Sequence, residues 1–163
     1  DRARSGKGIK VEGLSNMMFR FALCCQPVPG EKIIGFITRG RGITIHRQDC
    51  VNAIIAAQEP ERRVEVSWDV GPGQGFLVRI MVVLEYRKNI LYDITQVISN
   101  TDAEVRGAEL KSGEAASVAY FVVEIKNISH LHRVTENIRK KIKGVIKIDR
   151  TLGGDIEPTD EGS

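Results

Sequence analysis

From Phe76 to Arg150 the chain switches between two hydrophobic periods in a fixed order, and that order constrains its fold more than any other feature. Val78, Ile80, Val82, Leu84 and Tyr86 recur at every second residue, the spacing that puts side chains on one face of a strand. Ile90, Ile94, Val97 and Ile98 then recur at helical spacing behind Asn89, a residue suited to cap a helix that ends near Asn100. Residues 104–111 and 115–125 read as two strands joined by the turn Ser112-Gly113-Glu114. Ser129 is expected to cap a second helix with an apolar stripe of Leu131, Val134, Ile138 and Ile142. Lys140, Lys141 and Lys143 then fall at its negative end, and Gly144 stops it. Residues 145–150 form the last strand. The order βαββαβ describes a ferredoxin-like sandwich, with two helices on one face of a four-stranded antiparallel sheet.

The first half reads differently. Residues 33–37 form a strand, Thr38-Arg39-Gly40-Arg41-Gly42 a glycine-rich turn, and residues 43–46 the returning strand, so the hairpin carries arginines at its tip. A short helix is expected over 48–58, its apolar face built from Cys50, Ile54 and Ala57, and residues 64–68 alternate like an edge strand. Gly71-Pro72-Gly73-Gln74-Gly75 is the strongest linker signal. The chain is therefore read as α+β, with a linker over 1–13 and a cysteine-containing module over 14–70. The linker at 71–75 leads to the βαββαβ domain over 76–151 and an acidic, disordered tail over 152–163.

Net charge is only +3, but residues 1–50 carry nine Lys and Arg against four Asp and Glu. A local basic surface of this kind suits a polyanion, and Arg39, Arg41 and Arg47, with His46 beside them, are the residues best placed to touch phosphates. The three cysteines make no conventional disulfide framework, and no apolar run is long enough to span a membrane, which points to a reducing, cytoplasmic setting. Cys24, Cys25, His46 and Cys50 supply the number of ligands that Zn²⁺ takes. Adjacent strand residues face opposite ways, so Cys24 and Cys25 share one ion only if the chain bends there. A thiol redox switch and small cysteines packed under the hairpin are the competing readings. No motif requires a cofactor, and Zn²⁺ is the one metal these residues suggest.

Arg87-Lys88-Asn89-Ile90-Leu91-Tyr92-Asp93-Ile94, at the first strand-to-helix junction, resembles the corresponding segment of ACT domains, which are small-molecule-sensing regulatory modules. It stands downstream of Cys24-Cys25-Gln26-Pro27-Val28-Pro29-Gly30, Gly40-Arg41-Gly42 and His46-Arg47-Gln48-Asp49-Cys50. Together these segments resemble the C-terminal regulatory end of the long RelA/SpoT homologues, bacterial enzymes that make and hydrolyse (p)ppGpp in the stringent response. The resemblance covers residues 14–150. It implies a zinc-finger or ribosome-intersubunit domain followed by an ACT domain, without catalytic activity of its own. The synthetase and hydrolase domains of a GTP diphosphokinase would lie elsewhere in the parent protein. The implied partners are ribosomal RNA, uncharged tRNA and the catalytic domains of the same polypeptide. A second reading is an amino-acid-sensing, homodimerising ACT module that takes a branched-chain amino acid at Asn89, Ile90 and Leu91. Amino-acid-binding ACT domains carry Asp and Gly where this chain has Tyr86 and Asn89, and glycine there lets the backbone approach the ligand.

Overall fold

A computed structural model describes residues 8–11, 18–38, 40 and 42–151. The tail expected over 152–163 lies outside the described residues. The chain divides into two compact units at Gln74/Gly75, inside the glycine-rich segment 71–75. Among the described residues no helix is long and apolar enough to cross a membrane.

The first unit is built on one small sheet covered on both faces. Its strands are β2 (Phe19–Phe21), β3 (Ile33–Thr38), β4 (Gly42–Arg47) and β5 (Arg63–Val64), in the order β2-β4-β3-β5. β3 and β4 form the expected antiparallel hairpin, with Thr38 opposite Gly42, and β2 joins β4 in parallel. A second, two-stranded ribbon pairs β1 (Gly8–Val11) with β6 (Val66–Asp69). Residues 8–11 thus belong to this unit, although their composition reads as linker. Their partners lie more than fifty residues away, which no local pattern reveals.

Alternation along β4 sends Ile43 and Ile45 to one face, where they pack with Ile9 and Ile33 beneath the β1–β6 ribbon. Gly35 permits this close approach, because a Cβ there would meet Val64 and Val66 at 2.9 Å. The opposite face carries Phe36 and His46, together with Ala22, Cys25, Cys50 and Ala53. The helix α1 (Val51–Ala56) lies over this face and is shorter than expected. It buries Cys50 and Ala53, whereas Ile54 and Ala57 are exposed.

The second unit is the expected ferredoxin-like sandwich. Its elements are β7 (Phe76–Leu84), α2 (Ile90–Ser99), β8 (Glu104–Ser112), β9 (Ser117–Ile125), α3 (Ile128–Lys141) and β10 (Val145–Arg150), with antiparallel strand order β10-β7-β9-β8. Val78, Ile80, Val82 and Leu84 meet Ala119, Phe121 and Val123 across the central pair and pack under Ile94, Ile98, Val134 and Ile138, all fully buried. β7 ends at Leu84, so Tyr86 is exposed rather than part of this face. The cap of α3 is Asn127, whose side chain accepts the His130 amide at 2.8 Å; Ser129 lies inside the first turn.

Candidate metal centre

Three separate segments bring the sulfur and nitrogen ligands together. Cys24 and Cys25 lie in a tight turn over 23–25, not on a strand, so the bend they need to share one ion is present. The turn is held by the Gln26 amide donating to the Ala22 carbonyl at 2.9 Å and by Gln26 Nε2 donating to the Leu23 carbonyl at 3.2 Å. His46 reaches the cluster because even-numbered positions of β4 face α1, and its ring also meets the edge of Phe36. Cys50 stands at the N-cap of α1.

All four ligand atoms lie within 4.8 Å of one another. Cys24 Sγ is 3.5 Å from His46 Nδ1 and 3.5 Å from Cys50 Sγ, and Cys25 Sγ is 3.8 Å from His46 Nδ1. In a tetrahedral zinc site, Zn–S of about 2.3 Å and Zn–N of about 2.05 Å put neighbouring ligand atoms roughly 3.6–3.8 Å apart. The cluster has the ligand number and the donor types of such a site, and these three separations come close to its edge lengths.

Its electrostatics act on the ligands in opposite senses. Burial pushes the Cys25 thiol up to about 12, against the Arg47 amide, which donates to its sulfur at 3.3 Å. Burial works to raise Cys50 too, but the Asn52 and Ala53 amides and the neighbouring thiols outweigh it, so its pKa lies below the ordinary cysteine value. Burial lowers His46, which favours the neutral imidazole that a metal needs.

The residues expected at RNA are distributed unevenly. Arg39 and Arg41 lie outside the described residues, bracketed by the Thr38–Gly42 pair. Between them Gly40 has φ +69°, and a Cβ added there would meet nothing within 4 Å, which marks an open tip. Arg47 is tied to its neighbours: Nε donates to Asp49 at 2.9 Å, Glu31 lies 3.8 Å away, and Nη1 donates to the Cys25 carbonyl at 3.5 Å. It lines, with Glu31, Lys32, Gln48 and Asp49, a surface hollow of about 400 Å³. His46 points at the sulfurs. Phe36 is buried, and Trp68 stacks on Phe21 and donates to the Glu31 carbonyl at 2.9 Å; both serve the core.

Sequence reasoning missed Glu31. Its carboxylate accepts the Val28 amide at 3.0 Å and faces Arg47, joining the Pro27–Gly30 loop to the cluster. An acid just after a Pro-Gly turn was the available signal. At the second unit's junction, Asn89 takes the left-handed conformation, φ 64° and ψ 25°, that a glycine would adopt there. Ile90 is buried and Leu91 half-buried, and Arg87 donates to Asp93 at 2.8 Å.

A compact sulfur–imidazole module followed by an ACT-type sandwich defines a two-module regulatory class. Known proteins agree: a model of the RelA/SpoT RIS domain matches residues 9–69, and an ACT-domain model matches residues 72–150. The GTP pyrophosphokinase of Streptomyces antibioticus is 36% identical over 154 residues, 94% of this chain and 18% of that protein. The GTP pyrophosphokinase of Escherichia coli K12 is 37% identical over 156 residues, 94% of this chain and 21% of that protein. The bifunctional (p)ppGpp synthase/hydrolase RelA of Mycobacterium tuberculosis is 34% identical over 150 residues, 91% of this chain and 20% of that protein. The solved ACT domain from the GTP pyrophosphokinase of Chlorobium tepidum shares 27% identity at a TM-score of 0.42, covering 47% of this chain and 99% of that one. The chain belongs to the RelA/SpoT family, as its RIS–ACT region, and spans about one fifth of the length of these curated relatives.

Proposed function

We propose that this chain is the non-catalytic, regulatory part of a (p)ppGpp synthetase/hydrolase, that it reads the state of translation through ribosomal RNA and uncharged tRNA, and that it biases catalytic domains carried elsewhere in the polypeptide. The observation that carries this reading is the succession of RIS and ACT modules in one chain whose relatives are named GTP pyrophosphokinases. Within the first unit, Arg39 and Arg41 supply the phosphate contacts at the hairpin tip. Arg47, neutralised by Asp49 and Glu31, positions rather than binds, and His46 serves the sulfur cluster. Co-sedimentation with ribosomes carrying uncharged tRNA tests it: salt-sensitive binding lost on Arg39→Glu/Arg41→Glu supports the reading, and no binding by the folded chain sinks it.

The same reading gives the cluster a resident ion. Cys24, Cys25, His46 and Cys50 would hold Zn²⁺, which would tie the 23–25 turn, β4 and α1 together as a structural cross-link. Metal analysis of purified protein tests this, one zinc per chain being the expected result.

The left-handed Asn89 favours a second reading, in which a branched-chain amino acid sits at Asn89, Ile90 and Leu91. The backbone path that glycine provides in amino-acid-binding ACT domains is kept here, with an added side chain. Calorimetry with valine, leucine and isoleucine decides it; no heat at millimolar ligand removes the sensor.

A further inference from the structure

We propose that Cys24 and Cys50 are a modification site: in the metal-free cluster a hydroperoxide converts this pair into a reversible disulfide, while Cys25 remains a thiol. The proposal adds a regulation to the zinc site and rests on that reading for what the disulfide displaces, but the pairing itself is argued from the separation and the exposure of the sulfurs.

The two sulfurs are 3.5 Å apart across 26 residues of chain. Closing to the roughly 2.05 Å of an S–S bond needs about 1.5 Å of movement, and both residues sit where movement is cheap. Cys24 is in a turn, and Cys50 stands at the start of a helix of only six residues. The alternative partners are less suitable. Adjacent α-carbons are about 3.8 Å apart, below the roughly 4.4 Å lower limit for disulfides, so Cys24 and Cys25 do not bridge without distortion. Cys25 also shares a side-chain hydrogen bond with Cys50, but it is buried and its sulfur is engaged by the Arg47 amide at 3.3 Å, whereas Cys24 alone of the three is half-buried and open to an oxidant.

The chemistry balances with the hydroperoxide as the only added reagent. The Cys24 sulfur attacks the O–O bond, forming the S–O bond of a sulfenic acid, and the cleaved alkoxide takes up the thiol proton and leaves as the alcohol. The Cys50 sulfur then attacks Cys24, the S–S bond forms as S–O breaks, and the Cys50 proton departs with the hydroxyl as water. Two thiols and one hydroperoxide give one disulfide, one alcohol and one water. The product leaves only Cys25 and His46 as donors, too few for a tetrahedral site. It also fastens α1 directly to the 23–25 turn in place of the ion.

The test uses the whole chain. Zinc is first counted in the reduced protein; the metal is then removed by chelation, a slight excess of hydrogen peroxide is added, remaining thiols are alkylated, and tryptic peptides are sequenced. Reactive thiols are expected to fall from three to one. Residues 21–32 should be cross-linked to residues 48–62 with the alkyl group on Cys25, and dithiothreitol should restore all three thiols. Cys25→Ser should keep the cross-link. A cross-link through Cys25, disulfides between molecules only, or sulfinic acid on Cys24 without a cross-link would overturn the proposal. A reduced protein without zinc counts against the metal reading alone, since the disulfide mapping is read independently of it.

Discussion

His130 Nε2 lies 2.6 Å from the carbonyl oxygen of Thr101, 29 residues earlier in the chain, and joins the start of α3 to the end of α2. The other ring nitrogen, Nδ1, accepts the Lys126 amide at 3.0 Å. A nitrogen that accepts an amide carries no hydrogen, so the proton sits on Nε2 and is donated to Thr101. Asn137 extends the latch by donating to Thr101 Oγ1 at 3.3 Å, and Thr101 in turn donates to the Val97 carbonyl at 2.9 Å. His130 is 2% exposed and belongs to the interior.

Removing that ring should therefore weaken the second unit. His130→Ala leaves the Thr101 carbonyl buried without its donor, takes the acceptor from the half-buried Lys126 amide bond and opens a cavity, an expected loss of about 2–4 kcal/mol. Urea denaturation followed by a probe in the ACT unit measures it. Nitrogen-15 spectra should find the Nε2–H tautomer, and the opposite tautomer would contradict the latch.

Asn89 supports a sharper comparison. Asparagine is among the few non-glycine residues that tolerate φ near +60°, whereas a β-branched side chain does not. Asn89→Val should cost about 1–2 kcal/mol, while Asn89→Gly should stay within about 0.5 kcal/mol of the parent. Thermal denaturation of the two variants separates these values. Equal costs would mean that the side chain, not the backbone, matters at this junction.

The ACT half was legible because its information is local: Val78 to Leu84, Ile90 to Ile98 and Leu131 to Ile142 each announce their own element by spacing. What escaped depends on contacts distant in sequence. The strand at Gly8–Val11 exists because Val66–Asp69 pairs with it, and His130 is buried because the Thr101 carbonyl is there to accept its hydrogen bond. The sulfur cluster was legible as a set of residue types but not as a geometry. Its convergence depends on a turn at Cys24-Cys25 where adjacency argued against it, and on Ala53 rather than Ile54 facing inward.

Metal removal should act on one unit only. The cluster ties three segments of the first unit, and among the described residues the second unit contributes no ligand to it. Chelation should lower the unfolding transition of the RIS unit and leave that of the ACT unit in place, and Cys24→Ser, Cys25→Ser, His46→Ala and Cys50→Ser should each reduce bound zinc. The pH dependence has a definite sign. Without metal the Cys25 thiol, at about 12, is protonated at neutral pH, so capture of zinc releases its proton; His46, lowered by burial, is already neutral and releases none. Zinc affinity should accordingly fall as pH falls. A pH-indicator titration in weak buffer counts the protons, and zinc uptake without proton release would exclude Cys25 as a ligand.

The basic hairpin makes a quantitative prediction about salt. Each phosphate contact releases condensed counterions, so removing one contact lowers the slope of log affinity against log salt by about 1. Arg39→Gln/Arg41→Gln should therefore reduce the slope for ribosome binding by about 2 while leaving the unfolding transition of the first unit unchanged. Arg47→Gln should do the reverse. Its guanidinium is already paired with Asp49 and Glu31, with the Asp49 hydrogen bond holding its pKa above the ordinary arginine value, so its removal disturbs the loop beside Cys25 rather than a phosphate contact. Binding measured over a salt series, with denaturation of the same three proteins, separates the roles. If Arg47→Gln lowered the slope as much as the double variant does, its ion pairs with Asp49 and Glu31 would have to open at the ribosome, and Arg47 would join Arg39 and Arg41 as a contact.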